Sequence, residues 1–107
     1  MIQIDYHVGD DTHALTITGH AGYSEHGNDI VCAGVSAITF TLLGFLDNHE
    51  DDIESISAQT ESGHACISCK GGEKTALAFD MALTGLQQIA MKYPKHVTID
   101  IHPAPGG

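Results

Sequence analysis

The segment from Met1 to Val8 constrains the fold more than any other, because Ile2, Ile4, Tyr6 and Val8 alternate with Gln3, Asp5 and His7. A period of two sends successive side chains to opposite faces, so this segment is a strand with one buried and one wet face. Gly9 to Thr12 makes a turn, and Ala14 to Thr18 resumes the alternation through Leu15 and Ile17, predicting an opening β-hairpin. Such a sheet needs helices to cover its apolar face.

The period then changes. Val31, Val35, Ile38, Leu42 and Phe45 recur at helical spacing, Asn28 or Asp29 can cap the start, and the polar run from Asp47 to Asp52 closes the end. This predicts a helix from about Ile30 to His49. Ile53 to Gln59 and His64 to Cys69, around a turn at Thr60 to Gly63, read as a second hairpin. Gly71 and Gly72 break the chain before a second helical pattern on Phe79, Leu83, Leu86, Ala90 and Tyr93, which Pro94 ends. Val97, Ile99 and Ile101 alternate as a last strand, and Pro103 to Gly107 reads as a frayed tail. The expected fold is α+β in the order ββαββαβ: a mostly antiparallel five-stranded sheet with two covering helices. At 107 residues the chain has room for this one domain, residues 1–107, and no second.

Fourteen acidic residues face four lysines and no arginine, a formal net charge of −10. Nucleic-acid affinity grows with the phosphates that Lys and Arg neutralise, so direct binding of DNA or RNA is not expected. Such a surface attracts basic partners instead. Three cysteines cannot all pair with one another, and no basic segment precedes an apolar run as in a signal peptide, so a cytoplasmic protein with reduced thiols is expected. The apolar stretch from Ala37 to Leu46 is interrupted by Thr39, Thr41 and Gly44 and falls short of the ~20 residues of a membrane span, so no membrane segment is expected.

Between the second strand and the first helix, Gly19 to Asn28 carries three glycines and no periodicity, a long loop of the kind that often bears function. Cys32 follows the capping Asp29 closely, which puts its sulfur in the first helical turn, where free N–H groups and the helix dipole favour a thiolate. The N–H groups of Cys32 and Ala33 are placed to stabilise an oxyanion as well. His20 stands at the start of the loop, near enough in the chain to fold back onto Cys32, and a Cys with a nearby His is the minimum for a thiol hydrolase. Against this, a cysteine among Val31, Ala33 and Val35 also reads as a small buried apolar residue. Asp29 reads first as a cap and secondarily as a carboxylate orienting His20. Ser36, one turn after Cys32, either bonds near the sulfur or is a small residue permitting close packing.

Other constellations carry less. His64, Cys66 and Cys69 form H-x-C-x-x-C, but on a strand the odd spacing sends the cysteines to opposite faces, which suits neither zinc nor a redox pair. No metal and no cofactor are expected. His7, His13, His49, His96 and His102 read as solvated, on polar strand faces or helix ends. The cluster from Asp47 to Glu54 lacks the pattern of a calcium loop and reads as a solvated acidic turn.

The run Gly19-His20-Ala21, followed by Gly27-Asn28-Asp29-Ile30-Val31-Cys32-Ala33-Gly34-Val35-Ser36, resembles the signature of the bacterial ribosomal-processing cysteine proteases, Prp. Tyr93-Pro94 before an alternating strand also resembles the end of that family, so the likeness spans nearly the whole chain. It implies a small cytoplasmic endopeptidase, usually a homodimer, that removes the N-terminal extension of a large-subunit ribosomal protein, cutting after an aromatic residue. It implies His20 and Cys32 as the catalytic pair, Asp29 and Ser36 as supporting residues, and a loop that moves on substrate entry, here Gly22, Tyr23, Ser24, Glu25, His26, Gly27 and Asn28. The chain departs from the pattern at Asn28, at His26 and at Thr18. The substrate so implied is a basic ribosomal protein precursor, which a −10 surface would steer inward; raising ionic strength should then lower kcat/KM, and an unchanged value would exclude steering. Two functions stand at this point: a cysteine endopeptidase, and a non-enzymatic acidic partner that docks a basic ribosomal protein without cutting it.

Overall fold

The computed structural model describes residues 1–25 and 27–103. The chain runs β1 (Ile2–Val8), β2 (Thr12–Thr18), α1 (Ile30–Asp47), a short 3-10 turn (Glu50–Asp52), β3 (Ile53–Glu61), β4 (His64–Gly71), α2 (Glu73–Lys92) and β5 (Val97–Pro103). This is the expected ββαββαβ order. The five strands form one sheet in the order β3-β4-β2-β1-β5; the β1–β2, β2–β4 and β3–β4 pairings are antiparallel and β1–β5 is parallel. Pro103 closes β5, while His26 and residues 104–107 of the expected tail lie outside the described residues.

The core lies on one face of the sheet. Ile2, Ile4 and Tyr6 of β1, Leu15 and Ile17 of β2, and Ile67 and Cys69 of β4 meet Val31, Val35, Leu42 and Leu46 of α1 and Phe79, Ala82, Leu83 and Leu86 of α2. Burying side chains of this size is worth roughly 1.5–3 kcal/mol each. The H-x-C-x-x-C cysteines divide as the strand period requires: Cys69 is buried in the core and Cys66 is half-buried. Helix α1 is long and apolar enough to cross a membrane by length and composition, contrary to the expectation that its interruptions leave it too short. Of this stretch 28% is buried, and the buried stripe of Val31, Val35, Leu42 and Leu46 packs into the core.

Three further expectations fail for definable reasons. His13 is not solvated: it is 5% exposed, stacked on Phe79 with centroids 4.7 Å apart, and shares a 2.6 Å hydrogen bond through Nδ1 with the Tyr6 hydroxyl. It continues the inward set of Leu15 and Ile17, and the Tyr6 and Phe79 rings supply a surface that accepts an imidazole. Burial lowers its pKa, with the Asp11 charge opposing. Likewise α1 ends at Asp47, not His49, and the acidic cluster after it is not wholly solvated. The Asp52 carboxylate accepts from the Thr75 hydroxyl at 2.8 Å and the Thr75 amide at 2.7 Å, anchoring the start of α2. Those bonds, the hydroxyl first, hold its pKa below the usual carboxylate range. Gly72 is needed there, since a Cβ would lie 2.6 Å from Asp52 Oδ1.

Candidate active site

The start of α1 is organised by Asp29. Its Oδ1 accepts from the amides of Val31 at 2.9 Å and Cys32 at 3.0 Å, the N-cap expected of that residue. Its Oδ2 accepts from the amides of Tyr23 at 2.9 Å and Ser24 at 3.2 Å. One carboxylate therefore caps the helix and fixes the loop. Burial alone would raise its pKa, but the four backbone donors outweigh that and hold it below the usual range.

Cys32 is half-buried, and its sulfur accepts from the Ala21 amide at 3.2 Å. That bond joins the helix start to the residue after His20. Cys32 thus packs against the edge of the core while its sulfur opens onto the cleft with a polar partner. Ala21 is buried, and its carbonyl accepts from His96 Nδ1 at 2.9 Å, so His96, expected to be solvated, is a loop anchor. Tyr23 packs edge-on against Tyr93 and His96 at 5.3 and 5.4 Å.

His20 is exposed at the end of β2. Its carbonyl accepts from the Met1 nitrogen at 2.6 Å, and the neighbouring Gly19 amide donates to Gly63 at 2.9 Å. Its ring lies over Gly63 in the β3–β4 turn, where a Cβ would stand 2.9 Å from Nε2. Gly63 also has φ +74°, so glycine suits the position twice over.

His20, Cys32, Asp29, Ala33, Ser36, Gly22, Ser24 and Gly27 all line a single cleft of about 820 Å³. Tyr23, Glu25 and Asn28 of the loop are exposed beside it. Ser36 is exposed in this cleft, so it does not serve close packing. The expected oxyanion donors are engaged within the helix cap: Cys32 N–H is bound to Asp29 Oδ1 and Ala33 N–H to the Asp29 carbonyl, each at 3.0 Å, because a capped helix consumes its first amides. The cleft's far wall, Thr60 to Ala65, escaped the sequence reading. Its only signal there was the glycine at the turn.

A thiol at a capped helix start and a histidine on the same open cleft are the pair of groups that a thiol hydrolase needs. Residues 1–98 match the family described as Cysteine protease Prp, and the chain belongs to that family. It is 28% identical over 104 residues to the ribosomal processing cysteine protease Prp of Staphylococcus aureus, covering 94% of this chain and 98% of that one. It is 33% identical over 86 residues to the Mycoplasma genitalium protein of that name, covering 80% and 85%. A crystal structure of the Staphylococcus aureus protease with a covalently linked product peptide superimposes with a TM-score of 0.85 at 26% identity, covering 94% of this chain and 99% of that one. A second, with a substrate peptide, gives 0.74 at 25% identity and the same coverage. The chain is accordingly a cysteine protease, and the non-enzymatic alternative falls away.

Proposed function

We propose that Cys32 is the nucleophile and His20 the general base and acid of an endopeptidase that removes the N-terminal extension of a large-subunit ribosomal protein, cutting after an aromatic residue. The observation that carries the reading is the 3.2 Å bond from the Ala21 amide to the Cys32 sulfur, which ties the His20 segment to the nucleophile. The relatives' names and the peptide complexes of the Staphylococcus aureus enzyme support the substrate class.

In the reaction His20 takes the thiol proton as the Cys32 sulfur bonds to the scissile carbonyl carbon. The carbonyl oxygen becomes an oxyanion, to which we assign the Ala21 N–H: it donates to the Cys32 sulfur before attack and is released as the sulfur's electron pair enters the new C–S bond, whereas the amides of Cys32 and Ala33 stay engaged by the Asp29 cap. His20 returns the proton to the amine as the C–N bond breaks, leaving a thioester. Water, deprotonated by His20, attacks the thioester and releases the acid and the thiol.

Asp29 acts through the backbone, holding loop and helix in register. Ser36 lines the substrate's path. The reading carries with it a homodimer and a cytoplasmic location, as the family resemblance implies; sedimentation tests the first. The substrate is tested by incubating the chain with the ribosomal protein precursor and reading masses. The expected product has lost its extension at an aromatic residue. An intact precursor alongside a cleaved unrelated protein would reject this substrate.

A further inference from the structure

We propose that the trough between α1 and β3 is the distal substrate subsite, taking apolar side chains of an extended chain about four to seven residues from the scissile bond. This rests on the reading of Cys32 as nucleophile. The trough holds about 680 Å³ and shares Phe40 with the catalytic cleft. Along α1, Ala33, Ser36 and Phe40 line the cleft, and Phe40, Leu43, Gly44 and Asp47 line the trough. Ala33, Ser36, Phe40, Gly44 and Asp47 follow at three- and four-residue steps with Leu43 beside them, one continuous helical stripe starting a residue after Cys32.

The opposite wall is β3, the edge of the sheet. Ile56 pairs with Cys69 and Ala58 with Ile67, both buried, so Ile56 and Ala58 face the helices, yet neither helix covers them. Phe40 is 62% exposed and Ile56 47%. A Cβ at Gly44 would meet nothing within 4 Å, so the trough is open along its helical wall. At 1.5 Å per helical residue, Phe40 lies about 12 Å and Asp47 about 22 Å along the axis from Cys32, which an extended chain spans in about four and seven residues.

The occupant is the substrate itself, because the trough continues the cleft that must hold it. Its charge is also given. No lysine lines either space, while Asp47 and Glu50 line the trough and Glu61 the cleft, and Glu54 is met by Lys70 at 3.3 Å. An apolar segment interspersed with cations fits these walls.

The test compares a long peptide, reaching seven residues either side of the cut, with one truncated to three, in the wild type and in F40S and G44L. Both changes are at exposed positions, and G44L fills the trough while favouring the helix. In the wild type, the long peptide should have a KM at least about tenfold lower with similar kcat, and replacing its distal apolar residues by serine should abolish that gain. In F40S and G44L the advantage of the long peptide should shrink to within about twofold, with the serine replacements adding nothing further. An equal KM for both peptides in the wild type, or an undiminished advantage in both variants, overturns the subsite while leaving Cys32 in place. Cleavage of either peptide by Cys32→Ala overturns the nucleophile instead. A variant sedimenting at half the wild-type mass marks the trough as an interface between copies, and overturns the proposal.

Discussion

The imidazole of His20 lies against the backbone of Gly63, so closely that a Cβ on the glycine would stand 2.9 Å from Nε2. The β3–β4 turn thus bounds one side of the His20 ring, the general base of the proposed reaction. Gly63→Ala should displace the ring and lower kcat by at least about tenfold, since a misplacement of ~1 Å can cost a hundredfold. The φ of +74° adds a stability cost of about 1 kcal/mol. Steady-state kinetics with a thermal melt checks both; an unchanged kcat would free the turn from any catalytic role.

Asp29 joins two backbone segments through one carboxylate. Asp29→Ala should lower Tm by several degrees and reduce kcat, because the cap and the loop anchor go together. The depressed pKa fixes the sign with pH. The stabilisation is complete above the unfolded carboxyl's pKa near 4 and is lost as pH falls through the lower folded value. Wild type and variant should therefore converge in stability under strong acid, and a constant gap down to pH 2 would contradict this.

His13 places an imidazole in the core with Nε2 unbonded among the described residues. Its pKa is depressed by burial, so it resists charging in the fold. Its contribution is whole above the unfolded value near 6.5 and is lost as pH drops below it. The facing groups are Tyr6, whose own pKa burial and the Asp80 charge push up to about 12, Asp11, and Cys69 across the ladder. Tyr6→Phe with His13→Leu removes the bonded pair and the orphaned nitrogen together. The double variant should match or exceed the wild type's stability at pH 7 and flatten its decline between pH 6.5 and 5. An equally steep decline would assign that slope elsewhere.

The three thiols should differ in reactivity. Cys69 is buried, and burial, aided by the Asp52 charge, pushes its thiol pKa up. Cys32 opens onto the cleft. Iodoacetamide at pH 7 should label Cys32 well before Cys69, as read by peptide mapping. Preferential labelling of Cys69 would contradict the placement of both.

The architecture was legible because alternation in Ile2–Val8 and helical spacing in Val31–Phe45 each answer to one local period. Cys32 and Asp29 were legible because a helix start is a local event. The far wall was not: Gly63 meets His20 only through the pairing of β4 with β2, which no local pattern announces. His13 and His96 were misread for the same reason, since their partners Phe79 and Ala21 are distant in sequence. That the amides of Cys32 and Ala33 are engaged was not legible either, because the cap that makes Cys32 special also consumes the amides beside it.

In the proposed reaction one cysteine and one histidine lining this cleft carry out the cleavage. The most direct measurement is kcat/KM for a peptide spanning the extension junction in the wild type, Cys32→Ala, His20→Ala and the double variant Cys66→Ala with Cys69→Ala. Cleavage should vanish in the first two variants and persist in the third. Cleavage surviving both Cys32→Ala and His20→Ala would contradict it.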